Sequence, residues 1–330
     1  MRGILYAMTI VGWHASHEQV APSRLLGAVR RAEDVGFDAA MSSDHFAPWS
    51  ERQGESGFAW SWLGAALTAT SLPFGVVSAP GQRYHPAVIA QAVATLSEMF
   101  PGRLWVALGT GEYSNEHITG AAWPDKATRN RRLEECVEVM RALLAGQEVT
   151  HRGLVTVDQA RLWTLPATPP MLVGAAVSAA TARWVGGWAD GLITVGQPPE
   201  VLRRVVDEFR EGGGAGKPMY LQVHLSWAPT DDEALGIAFD QWRTNVFDPP
   251  LCWDLARVEH FDEAARHVGR EDVAGRVIVS SDPSRHLDRL AELVAIGFDG
   301  VWLHHVGTDQ HPFIDVFGER VVPQLRNVGP

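Results

Sequence analysis

With only two cysteines, Cys136 and Cys252, the chain cannot build a disulfide framework, and neither stands in a CxxC or Cys/His spacing that would hold zinc. It also has no run of Lys or Arg. With 28 basic against 39 acidic residues and a net charge of −11, it lacks the cationic surface that nucleic acid or an anionic membrane requires. No stretch approaches the ~20 apolar residues of a membrane span. Short repeats and low-complexity linkers are missing too. These absences leave a globular protein of the reducing cytoplasm, whose partners are small molecules or copies of itself. At the N-terminus, Arg2 and the largely apolar residues 3–13 have the outline of a short secretory leader ending near Ala15. The favoured reading is a short tail before a first buried strand over 9–14.

What is present is 330 residues, 46% of them apolar and 20% charged, enough for one large core. Short β-rich runs alternate with amphipathic helices along the whole chain. The spacing predicts helices over 23–35, 58–70, 87–99, 179–188, 200–209, 287–296 and 313–325. Strands are expected over 9–14, 37–42, 74–78, 104–108, 171–175, 191–195, 219–227 and 301–305. Alternation over 148–163 predicts a hairpin laid on the body. Residues 228–276, with helical pieces over 231–242 and 261–268, are too long for a plain loop and read as a lid or insertion. An extra strand is expected near 277–280.

Eight strands alternating with helices predict an α/β fold, a (β/α)8 TIM barrel of one domain over 1–330 with insertions after strands 4 and 7. The polar residues decide against an open sheet. Asp44 and His45, Ser78, residues 109–115, Val177 and Ser178, and His305 follow the carboxyl ends of different strands, where barrel enzymes build their sites.

Each candidate has a bland reading beside the functional one. His45 next to Asp44 can act as a base or a ligand, or merely tie down a loop. Gly109, Thr110, Gly111 and Glu112 form a glycine turn that lets backbone N–H groups approach a ligand and delivers a carboxylate beside it. It is not the dinucleotide fingerprint, because Ser114 stands where a third glycine belongs. His304 and His305 invite a metal reading, but adjacent strand residues face opposite ways, so only one enters the barrel and a core histidine is favoured. Glu18 is a first-loop site residue or a solvated acid. Most of the 13 tryptophans are read as packing.

Several segments together carry a resemblance. Ala15 and Ser16 with Glu18, Gln19, Ala21 and Pro22, the run Ser43-Asp44-His45-Phe46 with Pro48 and Trp49, the run from Arg83 to Ala92, and Gly109-Thr110-Gly111-Glu112 with Asn115 and Glu116 are similar to the luciferase-like flavin and deazaflavin oxidoreductases. The branch most resembled is the F420-dependent glucose-6-phosphate dehydrogenase group, with a likeness also to relatives that use FMN. The resemblance extends to Ser281-Asp282-Pro283 and residues 313–325. It implies a homodimeric barrel whose strand ends hold coenzyme F420, or alternatively FMN. His45 would take the hydroxyl proton as hydride leaves for the ring. Glu112 would hold a proton near the reduced ring, and Trp49 would wall the substrate pocket. Asp44, Gly109, Gly111 and Asn115 would meet the cofactor, and Ala176, Val177 and Ser178 its phosphate-bearing tail. A non-proline cis peptide is implied behind the ring near Val76 and Val77, beside Ser78.

The departures bear on the substrate. Positions that clamp a sugar phosphate in that group correspond here to Val195, Pro198 and Glu263, so poor activity on glucose 6-phosphate is expected. Hydride transfer to or from an alcohol or sugar-like hydroxyl is the favoured chemistry. Oxygen activation by reduced FMN is the alternative. A metal-dependent hydrolase using His45, His224 and His305 and a non-catalytic flavin carrier are the remaining classes.

Overall fold

The computed structural model describes residues 8–329. The secretory-leader reading begins in residues 1–7, outside the described residues. The first strand, β1 (Ile10–Ala15), is followed by β2 (Ala39–Ser43), β3 (Phe74–Ser78) and β4 (Leu104–Leu108). An antiparallel hairpin, β5 (Val149–Arg152) and β6 (Thr156–Ala160), precedes β7 (Leu172–Ala175), β8 (Leu192–Val195) and β9 (Met219–Ser226). The last two strands are the two-residue β10 (Ile278–Val279) and β11 (Gly300–His305). Eight strands pair in parallel in the order β9, β11, β1, β2, β3, β4, β7, β8, and β8 returns to β9, which closes the barrel. β10 adds to the outer part of β9.

The strands are apolar on both faces because helices cover the outside and side chains fill the inside. Along β3, Phe74 and Val76 pack outward against the helical layer while Gly75 and Val77 face the barrel axis. The helix Ala59–Ala69 is apolar nearly all round because much of it is enclosed, with Trp60, Trp62, Leu63 and Leu67 all buried. Trp105, Tyr220 and Trp302 meet inside the barrel with ring centroids 4.9–5.3 Å apart. Gly12 and Gly75 make room for this cluster, since a Cβ at either would overlap the indole of Trp302 or Trp105.

Both expected insertions are present. The 19-residue helix Lys126–Leu144 and the β5–β6 hairpin follow β4. Helices Asp231–Trp242, Leu251–Asp254, Val258–Ala264 and Arg270–Ala274 follow β9. Two local expectations need correction. The closing helix over 313–325 is two helices, His311–Arg320 and Val322–Leu325, broken next to Pro323, which has no N–H to continue the ladder. The cis peptide expected near Val76 and Val77 is not found; among the described residues the one cis bond is Pro249–Pro250. β3 instead keeps an unbroken parallel register with β4 to its last residue, Ser78 opposite Leu108.

Candidate active site

A cavity of about 340 Å³ opens at the carboxyl ends of the strands, a volume in the range of small-molecule sites. Loops after β1, β2 and β4 supply its reactive side. Asp44 leaves β2 with its carboxylate enclosed and fully engaged. It accepts hydrogen bonds from Ser78 Oγ at 3.0 Å, Trp60 Nε1 at 3.2 Å and the Tyr84 hydroxyl at 3.2 Å. Arg83 Nη2 donates to the Asp44 carbonyl at 2.7 Å, and its guanidinium also pairs with Asp44 and Glu116. A carboxylate with this many donors fixes the strand end.

The next residue, His45, is turned to the cavity. Its Nδ1 stands 2.6 Å from Glu18 Oε1, and its Nε2 lies 3.8 Å from Glu112 Oε2. Trp49 sits edge-on to the imidazole at 5.4 Å and is backed in turn by Phe261 from the insertion at 5.3 Å. Burial disfavours the charged ring, but the charge and hydrogen bond of Glu18, helped by Glu112, outweigh it and raise the His45 pKa to about 9. For Glu18 burial pushes the other way, yet His45 brings it down to about 2. Its second oxygen accepts from Ser16 Oγ at 2.9 Å. The pair therefore rests as imidazolium and carboxylate at neutral pH. Glu112 is held above the usual carboxylate range by burial, against the pull of His45.

The β4 loop is tied to the β2 loop by Asn115. Its Oδ1 accepts from Phe46 N at 2.8 Å and Ala47 N at 3.3 Å, and its Nδ2 donates to Glu112 Oε2 at 3.3 Å. Gly111 has φ +79°, where L side chains are strained, and a Cβ there would crowd Glu116 Cγ at 3.0 Å. Gly109 differs: a Cβ there would meet only Ala175 Cβ at 3.8 Å, so its bareness opens wall to a ligand.

A second set of histidines has the opposite ionisation. His14 and His304 stack at 4.2 Å, His224 packs against His304, and Gln222 reaches both His224 and His304. Burial lowers His14 to about 3 and His224 to about 4, with no carboxylate in hydrogen-bond contact to reverse it. These rings are neutral donors and acceptors, whereas His45 is a cation.

Most of the residues singled out from sequence converge on this cavity. His45, Glu112, Trp49, Asp44, Glu18, Val77, Ser78, Gly109, Gly111, Asn115, Ala176, Val177 and Val195 all line it. Four do not. Val76 faces the helices because alternate strand residues change sides. The Ser178 hydroxyl is spent capping the helix Ala179–Gly186 through Thr181 N, and Thr181 takes the place in the wall. Pro198 is an exposed N-cap of the helix Pro199–Phe209. Glu263 is exposed and pairs with Arg266 at 2.7 Å. The hydrolase triplet is not assembled: His45 and His224 line the cavity, but His305 turns outward and stacks on Phe313 at 4.8 Å. Among the described residues no group of three or more His, Cys, Asp or Glu side chains could hold a metal.

Sequence reasoning missed His14, Gln222 and Lys126, all in the wall. The signal for Lys126 is a cation at the first position of a long helix, where the macrodipole disfavours one.

The cavity suits a planar heteroaromatic cofactor. One wall is apolar and flat-sided, made of Val77, Ala175, Ala176 and Val177, and the polar atoms His14 Nδ1 and Thr194 Oγ1 are buried without a partner of their own.

Residues 1–300 match the family model described as luciferase-like monooxygenase. An F420-dependent glucose-6-phosphate dehydrogenase of Microbacterium testaceum (strain StLB037) is 35% identical, over 96% of this chain and 97% of that protein. Among solved structures, an F420-dependent secondary alcohol dehydrogenase in complex with an F420-acetone adduct is 30% identical with a TM-score of 0.90, covering 97% of this chain and 100% of that one. A long-chain alkane monooxygenase shares the fold at 16% identity and a TM-score of 0.75, covering 97% of this chain and 91% of that one.

Proposed function

Since the chain belongs to the luciferase-like monooxygenase family, a family of oxidoreductases, we propose that its cavity binds coenzyme F420 and serves hydride transfer at the carbinol or carbonyl carbon of a small organic substrate. The observation that carries this reading is a single ion pair. Glu18 holds His45 as a cation in a cavity one wall of which is apolar, and the Nε2 side of the ring, 3.8 Å from Glu112, faces that cavity. The similarity to two F420-dependent dehydrogenases supports the choice of cofactor.

When bound, the deazaflavin supplies the hydride acceptor or donor. The chain supplies the proton. In the reducing direction protonated His45 gives a proton to the nascent alkoxide; in the oxidising direction neutral His45 takes it from the hydroxyl. Glu112, held above the usual carboxylate range, is the second proton carrier on the ring side of the pocket. Trp49 excludes water from His45 and presents its edge to the substrate. Asp44, with its carboxylate oxygens taken up by donors, keeps the β2 loop in position. Gly109, Ala176 and Val177 are the contacts for the cofactor.

We further propose that glucose 6-phosphate is a poor substrate, although curated relatives carry its name. Val195 offers only methyl groups to the cavity, and Pro198 and Glu263 lie outside the wall. Four acids, Glu18, Asp44, Glu112 and Glu116, outnumber the three cationic side chains, Arg83, Lys126 and the His45 imidazolium, a poor setting for a phosphate dianion. FMN is the second cofactor reading, on the observation that the apolar wall carries no group selective for either ring. A cytoplasmic homodimer completes the proposal.

The test is titration of purified protein with F420 and with FMN, followed by fluorescence quenching. Micromolar affinity for F420 and alcohol-dependent reduction support the reading. Tight binding of FMN alone, with oxygen consumption, replaces it. Efficient turnover of micromolar glucose 6-phosphate removes the substrate claim.

A further inference from the structure

The chain contains 26 arginines and only two lysines, Lys126 and Lys217. Lys217 has an ordinary structural task, donating to the Gly186 carbonyl at 2.8 Å. Lys126 lines the cavity, and nothing negative among the described residues pairs with it. Its ammonium meets Thr110 Oγ1 at 3.0 Å and lies 5.4 Å from the ring centre of Trp253. The neighbouring Asp125 is turned away to cap the helix at Thr128 N, 2.7 Å distant. The other cations in the wall are consumed, Arg83 by Asp44 and Glu116 and the His45 imidazolium by Glu18.

The position is also the wrong one for a structural cation. Lys126 is the first residue of a 19-residue helix, where the macrodipole repels positive charge, and Arg129 is close enough to add to the repulsion. Burial and Arg129 lower its pKa to about 8, the direction expected of a cation with no counter-charge. The ammonium carries three N–H donors and spends one on Thr110, so it retains free donors for a ligand.

We propose that Lys126 is the counter-charge for a carboxylate of the substrate, so that the enzyme acts on small hydroxy acids or oxo acids in preference to neutral alcohols and ketones. The proposal rests on the hydride-transfer reading above. Thr110, the hydrogen-bond partner of Lys126, stands two residues before Glu112, so at most about 7 Å of backbone separates the ammonium's partner from the reacting end. A ligand group this near the chemistry belongs to the substrate rather than to the distant tail of a cofactor. A single free cation among four acids matches a monoanion. The carboxylate would sit beside the Lys126–Thr110 pair, against the free donors of the ammonium, with the carbinol or carbonyl carbon towards His45.

The experiment uses protein loaded with reduced F420, the hydride donor, and two probes that differ in one charge, 4-oxopentanoate and its amide. In the unaltered enzyme kcat/KM favours the acid, and Lys126→Met lowers the acid-to-amide ratio by about tenfold or more, carried by KM. Lys126→Arg keeps part of the preference, because the charge remains. Two binding measurements accompany the kinetics. Calorimetric binding of a non-reacting carboxylate, propanoate, to the F420-loaded protein weakens in Lys126→Met, while the F420 affinity of that variant stays within about twofold. An unchanged acid-to-amide ratio overturns the proposal. So does a large loss of F420 affinity in Lys126→Met with the ratio intact, which gives Lys126 to an anion of the cofactor. If F420 does not bind, or neither probe is reduced while propanoate still binds through Lys126, the hydride-transfer reading fails and the anion site stands.

Discussion

Glu18→Gln keeps the shape of the side chain and removes its charge, which makes it the sharpest perturbation of the site. Glu18 touches His45 Nδ1 at 2.6 Å and is the main reason the ring titrates at about 9 instead of 6.5. Without it burial dominates, and His45 should titrate at or below 6.5, a change worth at least about 3 kcal/mol in the equilibrium between the two protonation states. At pH 7 the neutral fraction of His45 would rise from about 1% to about three quarters or more. The two directions of catalysis should respond oppositely. For alcohol oxidation, the acid limb of kcat/KM near pH 9 should move below pH 7. For carbonyl reduction, activity that holds until about pH 9 in the unaltered enzyme should decline above about pH 6.5 in the variant. A ligand in the cavity displaces the absolute values but leaves the sign of the difference. Profiles from pH 5.5 to 10, with an NMR titration of the His45 ring that needs no turnover, measure both. Limbs that coincide within half a pH unit in the two proteins would refute the argument that Glu18 sets the charge of His45.

The same pair should appear in stability. The raised His45 pKa contributes stability that is complete below pH 6.5 and lost as pH rises through about 9, and the depressed Glu18 pKa contributes stability present above 4.5 and lost as pH falls through about 2. The urea midpoint of the unaltered protein should therefore exceed that of Glu18→Gln most between pH 4.5 and 6.5; parallel curves at every pH would exclude this. Gly75→Ala should cost about 1–3 kcal/mol by overpacking the indole of Trp105, read as a lower urea midpoint with unchanged m-value. Asn115→Ala should lower kcat about tenfold by releasing the β2 loop from Glu112 while leaving F420 affinity within about twofold; a loss confined to F420 affinity would make Asn115 a cofactor contact instead.

The barrel was legible because strand and helix periods alternate cleanly and because glycines and prolines mark the ends. β3 and β4 fall on the expected residues, and the remaining barrel strands lie within two residues of expectation. Site residues at the carboxyl ends of strands were legible for the same reason. What resisted was direction. The sequence places Val76 and Val77 side by side, and only the barrel's curvature decides that Val77 turns inward. Ser178 has the chemistry of a phosphate contact, but the following helix takes its hydroxyl as a cap. Pairings between loops were hidden altogether. Glu18 and His45 are 27 residues apart, and they meet because β1 and β2 are neighbours in parallel register. Lys126 lies in a polar run, KATRNRR, whose periodicity marks a solvated helix, and only its place at the helix start, against the macrodipole, sets it apart.

The cluster of Trp105, Tyr220 and Trp302 has a kinetic meaning as well as a structural one. It stoppers the barrel on the side away from the strand ends, so traffic to the cavity passes through the loop side alone. Whatever lies against Gly109 and Ala175 must then enter and leave on the same side as His45, Glu112 and Lys126.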